Sequence, residues 1–192
     1  MKHLSRVLAI VLICGVVWVA GPTSQAATDK PMEKNRMQPD HAPTPYSADE
    51  IRQGCPRKRK IVFQVETFGQ TVMFQSVIFL TVEQKEVVFE AVTTGSDGKQ
   101  IGSRKMTTGL WTDLQSHASF PESQTEIRTE TITTPAGTFD CWLYEVSDKK
   151  SGKTGVMRYW FAKNLPGPPV LYEEVADQKV IYKMSMLKTG ME

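Results

Sequence analysis

The chain has 192 residues, with 23 basic and 21 acidic side chains, a formal net charge of +2 and 40% hydrophobic residues. This is enough for one domain with a sizeable core, and too evenly charged for a nucleic-acid binder, whose affinity rests on a basic surface. It contains no metal-ligand spacing and no glycine-rich phosphate loop in a strand-to-helix setting, so no cofactor is implied.

At the N-terminus, Lys2, His3 and Arg6 flank and precede an unbroken run of 14 apolar or small residues, Val7 to Ala20, and Ser24-Gln25-Ala26 follows. This pattern reads as a secretory signal peptide over residues 1–26, because a spanning helix needs about 20 apolar residues. The other reading is an uncleaved anchor. Cys14 follows Ile13 and is itself followed by apolar residues, which does not fit lipidation. Cleavage after Ala26 would remove Lys2 and Arg6 and no acid, leaving 166 residues (192 − 26) with 21 basic against 21 acidic side chains. The expected location is exported, periplasmic or extracellular, with no transmembrane span in the mature chain.

Residues 27–46 carry Pro31, Pro39, Pro43 and Pro45 and almost no apolar periodicity, so they read as a disordered, proline-rich linker ahead of a single antiparallel β domain over 47–192. Ser47 with Glu50 three residues on is a capping box, which predicts a short helical turn that Gly54 ends. The basic run Arg57-Lys58-Arg59-Lys60 reads as a solvated lead into the first strand, or as a rim for anionic headgroups.

From Lys60 onward the dominant period is two. Strands are predicted over Lys60 to Glu66, Val72 to Val82, Val87 to Thr94 and Lys99 to Met106, with a hairpin turn at Ser96-Asp97-Gly98. Leu110, Trp111, Leu114 and Ala118 then share one side of a helix, with Thr108 as its cap and Pro121 beyond its end. Glu126 to Thr133 is β-branched and charged, which suits an edge strand. Aromatic strands follow over Thr138 to Val146 and Val156 to Phe161, then a proline corner at Leu165 to Pro169, and last strands over Val170 to Val175 and Val180 to Leu187. The fold class is therefore mainly β, a curved antiparallel sheet or unclosed half-barrel of eight or nine strands with one packed helix.

Catalytic chemistry finds little support. His41 lies in the proline-rich stretch and His117 at a helix end, with no orienting carboxylate or oxyanion hole implied beside either. Glu173 and Glu174 face opposite sides of their strand, and Glu126 and Glu130 would lie about 13 Å apart at roughly 3.3 Å per residue. The expectation is that the protein is not an enzyme.

The two remaining cysteines, Cys55 and Cys141, form an even pair in an exported chain, which favours a disulfide; two unpaired thiols are the alternative. Large apolar side chains occupy both faces of several strands, more than one helix can cover. They either line a cavity for an irregular apolar ligand, such as a lipid or an acyl chain, or pack together as plain core. Phe74, Trp111, Trp142, Tyr144, Trp160 and Met184 are the candidate lining residues. An envelope protein partner, recruited by β-augmentation along Glu126 to Thr133, is the alternative function.

The order Thr134-Pro135-Ala136-Gly137-Thr138-Phe139-Asp140-Cys141-Trp142, then Arg158-Tyr159-Trp160-Phe161-Ala162, then Pro169-Val170 resembles a group of exported bacterial domains of unknown function. More distantly it is similar to the periplasmic outer-membrane lipoprotein carriers. That resemblance implies an unclosed antiparallel barrel with helices across a concave, apolar side where acyl chains bind. The carriers begin with a long helix that plugs this side, and the present chain has the proline-rich stretch there instead. Their closing arginine has no matched position here.

Overall fold

The structure is a computed structural model that describes residues 31, 33–148 and 155–192. The expected signal segment and the first residues of the expected linker lie outside the described residues.

Among the described residues the chain forms nine strands and two α-helices. The first helix, α1 (Ala48–Gly54), is followed by β1 (Arg59–Thr67), β2 (Met73–Val82), β3 (Glu86–Gly95) and β4 (Gln100–Leu110). Then come α2 (Trp111–Ser116), β5 (Thr125–Thr134), β6 (Gly137–Asp148), β7 (Gly155–Ala162), β8 (Leu171–Ala176) and β9 (Lys179–Met191). All nine strands join one antiparallel sheet in the order β4-β3-β2-β1-β9-β8-β7-β6-β5. The end strands β4 and β5 leave it unclosed.

Most connections are hairpins whose sequences suit them. Asp177 (φ 49°) and Gln178 (φ 63°) both take the left-handed conformation, and Ala176 pairs with Lys179, so β8 and β9 are joined by a two-residue turn. Among the described strands, the one connection between strands that are not neighbours runs from β4 through α2 to β5, from one edge of the sheet to the other. The last strand, β9, pairs with β1 at the centre of the sheet.

The sheet is curved. The Ala136 N–H, in the β5–β6 turn, donates to Met186 O on β9 at 3.3 Å. In a flat sheet β6 and β9, three places apart in the order, would be separated by roughly 14 Å. The proline corner reinforces this curl, because Val170 donates to Trp160 O at 2.8 Å while accepting from the Met186 N–H at 2.9 Å. Strand β6 is consequently buried on both faces, with Cys141 and Leu143 on one and Tyr144 and Val146 on the other.

Two expectations about the elements need correction. The helix predicted from Thr108 begins only at Trp111, and its N-cap, Leu110, makes no side-chain bond. Thr107 and Thr108 instead pair with Phe89 and Val88, as suits β-branched residues next to an open sheet edge. The larger correction concerns the linker. Residues 33–46 are packed rather than disordered, with Asn35, Ala42, Thr44 and Tyr46 all buried.

Prolines remove donors and periodicity, so this segment makes only a few turn-type bonds of its own, such as His41 N–H to Gln38 O at 3.1 Å and Thr44 N–H to Asn35 O at 3.3 Å. It is fixed to the sheet from outside. Ala42 N–H donates to Phe120 O at 2.9 Å, the Tyr144 hydroxyl donates to Pro43 O at 2.6 Å, and Thr44 Oγ1 bonds Asn35 O and Tyr46 O at 2.9 Å each. His41, expected in the linker, places Nδ1 2.9 Å from Ser119 Oγ.

The capping box of α1 forms as expected, with Ser47 Oγ accepting from Glu50 N at 3.2 Å and Glu50 Oε2 accepting from Ser47 N at 2.7 Å. Tyr46 and Ile51 occupy the two positions of a hydrophobic staple, and both belong to the core. Gly54 ends the helix against the proline corner, where a Cβ would collide with Pro166 O and stand 2.8 Å from Pro166 Cβ. Gly54→Ala should therefore cost about 1–3 kcal/mol by overpacking, seen as a lower urea midpoint with an unchanged slope; an unaltered midpoint would mean the corner yields freely.

Candidate functional site

Period-two alternation directs Ile61, Phe63 and Val65 of β1 to the same side as Val77 and Phe79 of β2, Tyr159 and Phe161 of β7 and Met184 of β9. The segment 33–46, α1 and α2 lie across this concave side. Their mutual fit depends on Gln115 of α2, which is buried. Its Oε1 accepts from the Ala48 N–H at 2.9 Å, and its Nε2 donates to Thr44 Oγ1 at 3.0 Å. One side-chain amide thus joins α2, α1 and the proline-rich segment, with its donors and acceptors satisfied in the interior.

Tyr46 fixes the segment to the sheet. It is 3% exposed, meets Trp142 and Phe161 edge-on at 5.9 and 6.1 Å between ring centroids, and donates its hydroxyl to Ala162 O. Phe120 stacks on Tyr159 at 4.8 Å, and Tyr159 on Tyr172 at 4.7 Å. Burial pushes the Tyr46 and Tyr144 hydroxyls far above the ordinary phenol range, so both are neutral donors.

The covering elements leave a cavity of about 380 Å³. Its walls are Pro45, Tyr46, Ile51, Cys55, Phe63, Val77, Phe79, Phe89, Leu114, Ala118, Tyr159, Phe161, Tyr172, Met184 and the corner Gly167-Pro168-Pro169, with Gln75, Gln115 and His117 as the polar members. The volume falls within the range of small-molecule sites, and an aromatic and thioether wall with few polar groups is what an apolar ligand requires.

Of the six candidate residues, Met184 lines this cavity. The others do not. Phe74 alternates with Gln75 and Val77 and so faces the opposite side of β2. Trp160 likewise faces away from Phe161, and its indole N–H donates to Glu130 Oε2 at 3.0 Å. Trp111 is buried core, donating to Glu83 O at 2.9 Å. Tyr144 is fully buried beneath the proline-rich segment. Trp142 is half-buried against Tyr46, with its indole nitrogen buried and unpartnered.

The expected disulfide is also not formed: Cys55 and Cys141 are free, buried thiols. Cys55 Sγ lies 3.5 Å from Arg59 Nη1 on the concave side, whereas Cys141 leaves β6 on the face opposite Trp142 and Tyr144 and contacts Phe139 O at 3.6 Å. Burial pushes the two thiols up to about 11 and about 12.

The sequence reading missed Tyr46 and Pro45, because they were assigned to the linker. The available signal was the staple position of Tyr46 directly before Ser47. His117 is exposed at the C-terminal end of α2. Among the described residues no cluster of His, Cys, Asp or Glu could hold a metal ion, and no helix is long and apolar enough to cross a membrane.

The geometry defines a class: an unclosed antiparallel half-barrel whose concave side is covered by two short helices and an extended segment. Residues 122–184 match the family described as a protein of unknown function (DUF3108). The match spans the Pro-Ala-Gly-Thr-Phe turn and the Tyr-Trp-Phe strand on which the resemblance to exported domains of unknown function rests. No curated protein matches the chain.

Among solved structures, a "putative lipoprotein" from Parabacteroides distasonis ATCC 8503 is similar at a TM-score of 0.52 and 15% identity, covering 71% of this chain and 96% of that one. This likeness shows the fold. An exported protein with YmcC-like fold from Bacteroides fragilis NCTC 9343, itself described as putative, is similar at 0.49 and 13% identity, over 70% and 96% of the two chains. MucB in complex with MucA(peri) is similar at 0.49 and 8% identity, over 75% of this chain and 54% of that one.

Trp142 stands against Tyr46 rather than the cavity, so Trp142→Ala should behave as a core truncation. A loss of about 3 kcal/mol in chemical unfolding is expected, together with loosening of residues 33–46 in hydrogen exchange. A loss below about 1 kcal/mol would instead make it a dispensable wall residue.

Proposed function

We propose that this is an exported, non-catalytic binding protein that takes an apolar ligand, a lipid or lipoprotein acyl chain, into the cavity on the concave side of the sheet. The observation that carries this reading is the cavity of about 380 Å³, walled by Phe63, Val77, Phe79, Tyr159, Phe161, Tyr172 and Met184. Apolar wall that faces water costs free energy roughly in proportion to its area, and an apolar chain lying in the cavity removes that surface from water. Aromatic and methionine side chains repack easily around a chain of variable conformation. Export is supported by the apolar run Val7 to Ala20 behind Lys2 and Arg6.

Filling the cavity tests this directly. Val77→Trp places an indole where the chain would lie, and should weaken uptake of a fluorescent acyl-chain probe by tenfold or more, about 1.4 kcal/mol or greater, without unfolding the protein. Equal uptake by a folded Val77→Trp would remove the cavity as the binding site.

A second reading, an envelope protein-interaction or scaffold domain, is favoured by the position of β5 at the sheet edge. Glu126, Arg128, Glu130 and Thr131 are exposed there, and one side of the strand is open to an added extended peptide. Thr129→Pro would block such pairing and should abolish capture of an envelope partner by β5. Capture that survives the proline would exclude this edge.

A further inference from the structure

Arg59 is the member of the basic run that goes inside. It is 4% exposed, whereas Arg57 and Lys58 are exposed and Lys60 pairs with Glu192 at 2.6 Å. Its Nε donates to Thr189 Oγ1 at 3.2 Å, and its Nη1 donates to Pro166 O at 2.9 Å and to Gly54 O. Nη1 also stands 3.5 Å from Cys55 Sγ. None of these partners carries a charge, since burial keeps the Cys55 thiol protonated at neutral pH despite the nearby guanidinium. Nη2 is buried with no partner at all.

A guanidinium stays charged in any protein environment, and its planar fork is built for two parallel bonds to a carboxylate or phosphate. Burying it against neutral acceptors alone is costly, and leaving a buried N–H pair empty adds to that cost. The group is adjacent to the cavity. Cys55 and Gly167, which both approach Nη1, also line the cavity. Gly167 (φ 140°) keeps the approach open, because a Cβ there would stand 3.2 Å from Cys55 Sγ and 3.3 Å from Arg59 Nη1.

We propose that Arg59 forms an anion subsite at the edge of the cavity, which takes the carboxylate or phosphate head of a single-chain amphiphile whose tail lies among the aromatic walls. The head would displace the neutral acceptors Pro166 O and Gly54 O from the guanidinium. This rests on the binding function proposed above and narrows its ligand from apolar in general to anionic at one end.

The test is displacement of the neutral dye N-phenylnaphthylamine from the cavity by dodecanoate, dodecyl phosphate and dodecanol, which share one tail. In the wild-type protein at least one anionic competitor should act at roughly tenfold lower concentration than dodecanol, as charge-assisted bonds predict. Dodecanoate against dodecyl phosphate identifies the head. In Arg59→Met the dye should still bind, and the anionic and neutral competitors should become equivalent. Should that variant fail to fold, Gly167→Ala closes the approach and should lower the ratio of anionic to neutral displacement. Equal displacement by all three in the wild type, or a preference that survives in folded Arg59→Met or Gly167→Ala, overturns the subsite alone. No dye uptake by the wild type removes the cavity function and the subsite with it.

Discussion

The structure depends on how a proline-rich extended segment with few hydrogen bonds of its own is held against an apolar sheet. Tyr46 is the fastening. Its ring packs edge-on to Trp142 and Phe161, its hydroxyl donates to a backbone carbonyl on β7, and its main chain leads directly into the capped start of α1. Burying one aromatic side chain removes on the order of 150–250 Å² from water. Here the same residue also satisfies a carbonyl and sets the direction of a helix. Tyr144 and Gln115 complete the attachment by bonding Pro43, Thr44 and Ala48. Both of these side chains are buried, so their partners are obligatory rather than incidental.

A cover assembled in this way cannot fill the concavity completely. A long helix would present a continuous apolar stripe to the sheet; two helices of seven and six residues and an extended segment present isolated anchors instead. The proline corner adds a rigid rim, with Gly167 left without a side chain where Arg59 and Cys55 come near. What remains between anchors and rim is the cavity. Its walls come from β1, β2, β3, β7, β8 and β9, so the curl of the sheet sets its depth.

The β elements were legible because alternation survives any tertiary arrangement: all nine strands fall where period two places them, most of them extended by a residue or more at their ends. The charged, β-branched stretch around Arg128 correctly indicated an edge. The helix start at Trp111 was misplaced because Thr108 is as good a strand residue as a cap, and only its pairing with Val88 decides between them. The packed state of residues 33–46 was hidden for a stronger reason. The bonds that hold it on the sheet reach residues many positions away, such as Phe120, Tyr144 and Ala162, and no local pattern records them. The aromatic candidates were apolar enough, but abundance does not specify a face. Trp160 and Phe161 are adjacent and both large and apolar, and only the second lines the cavity. In the run of four basic residues only register marks the third as buried, because Arg59 shares the inward parity of Ile61, Phe63 and Val65.

The central claim is that the segment 33–46 and the two helices close over a chamber that holds an amphiphile. The most direct measurement is native mass spectrometry of the protein purified from a bacterial envelope, followed by organic extraction of whatever it carries. The account predicts a fraction of the protein with one added mass that extracts as a fatty acid or another single-chain anionic lipid. A bare protein mass, with no later uptake of an acyl-chain probe, would contradict it and leave the aromatic walls as ordinary core.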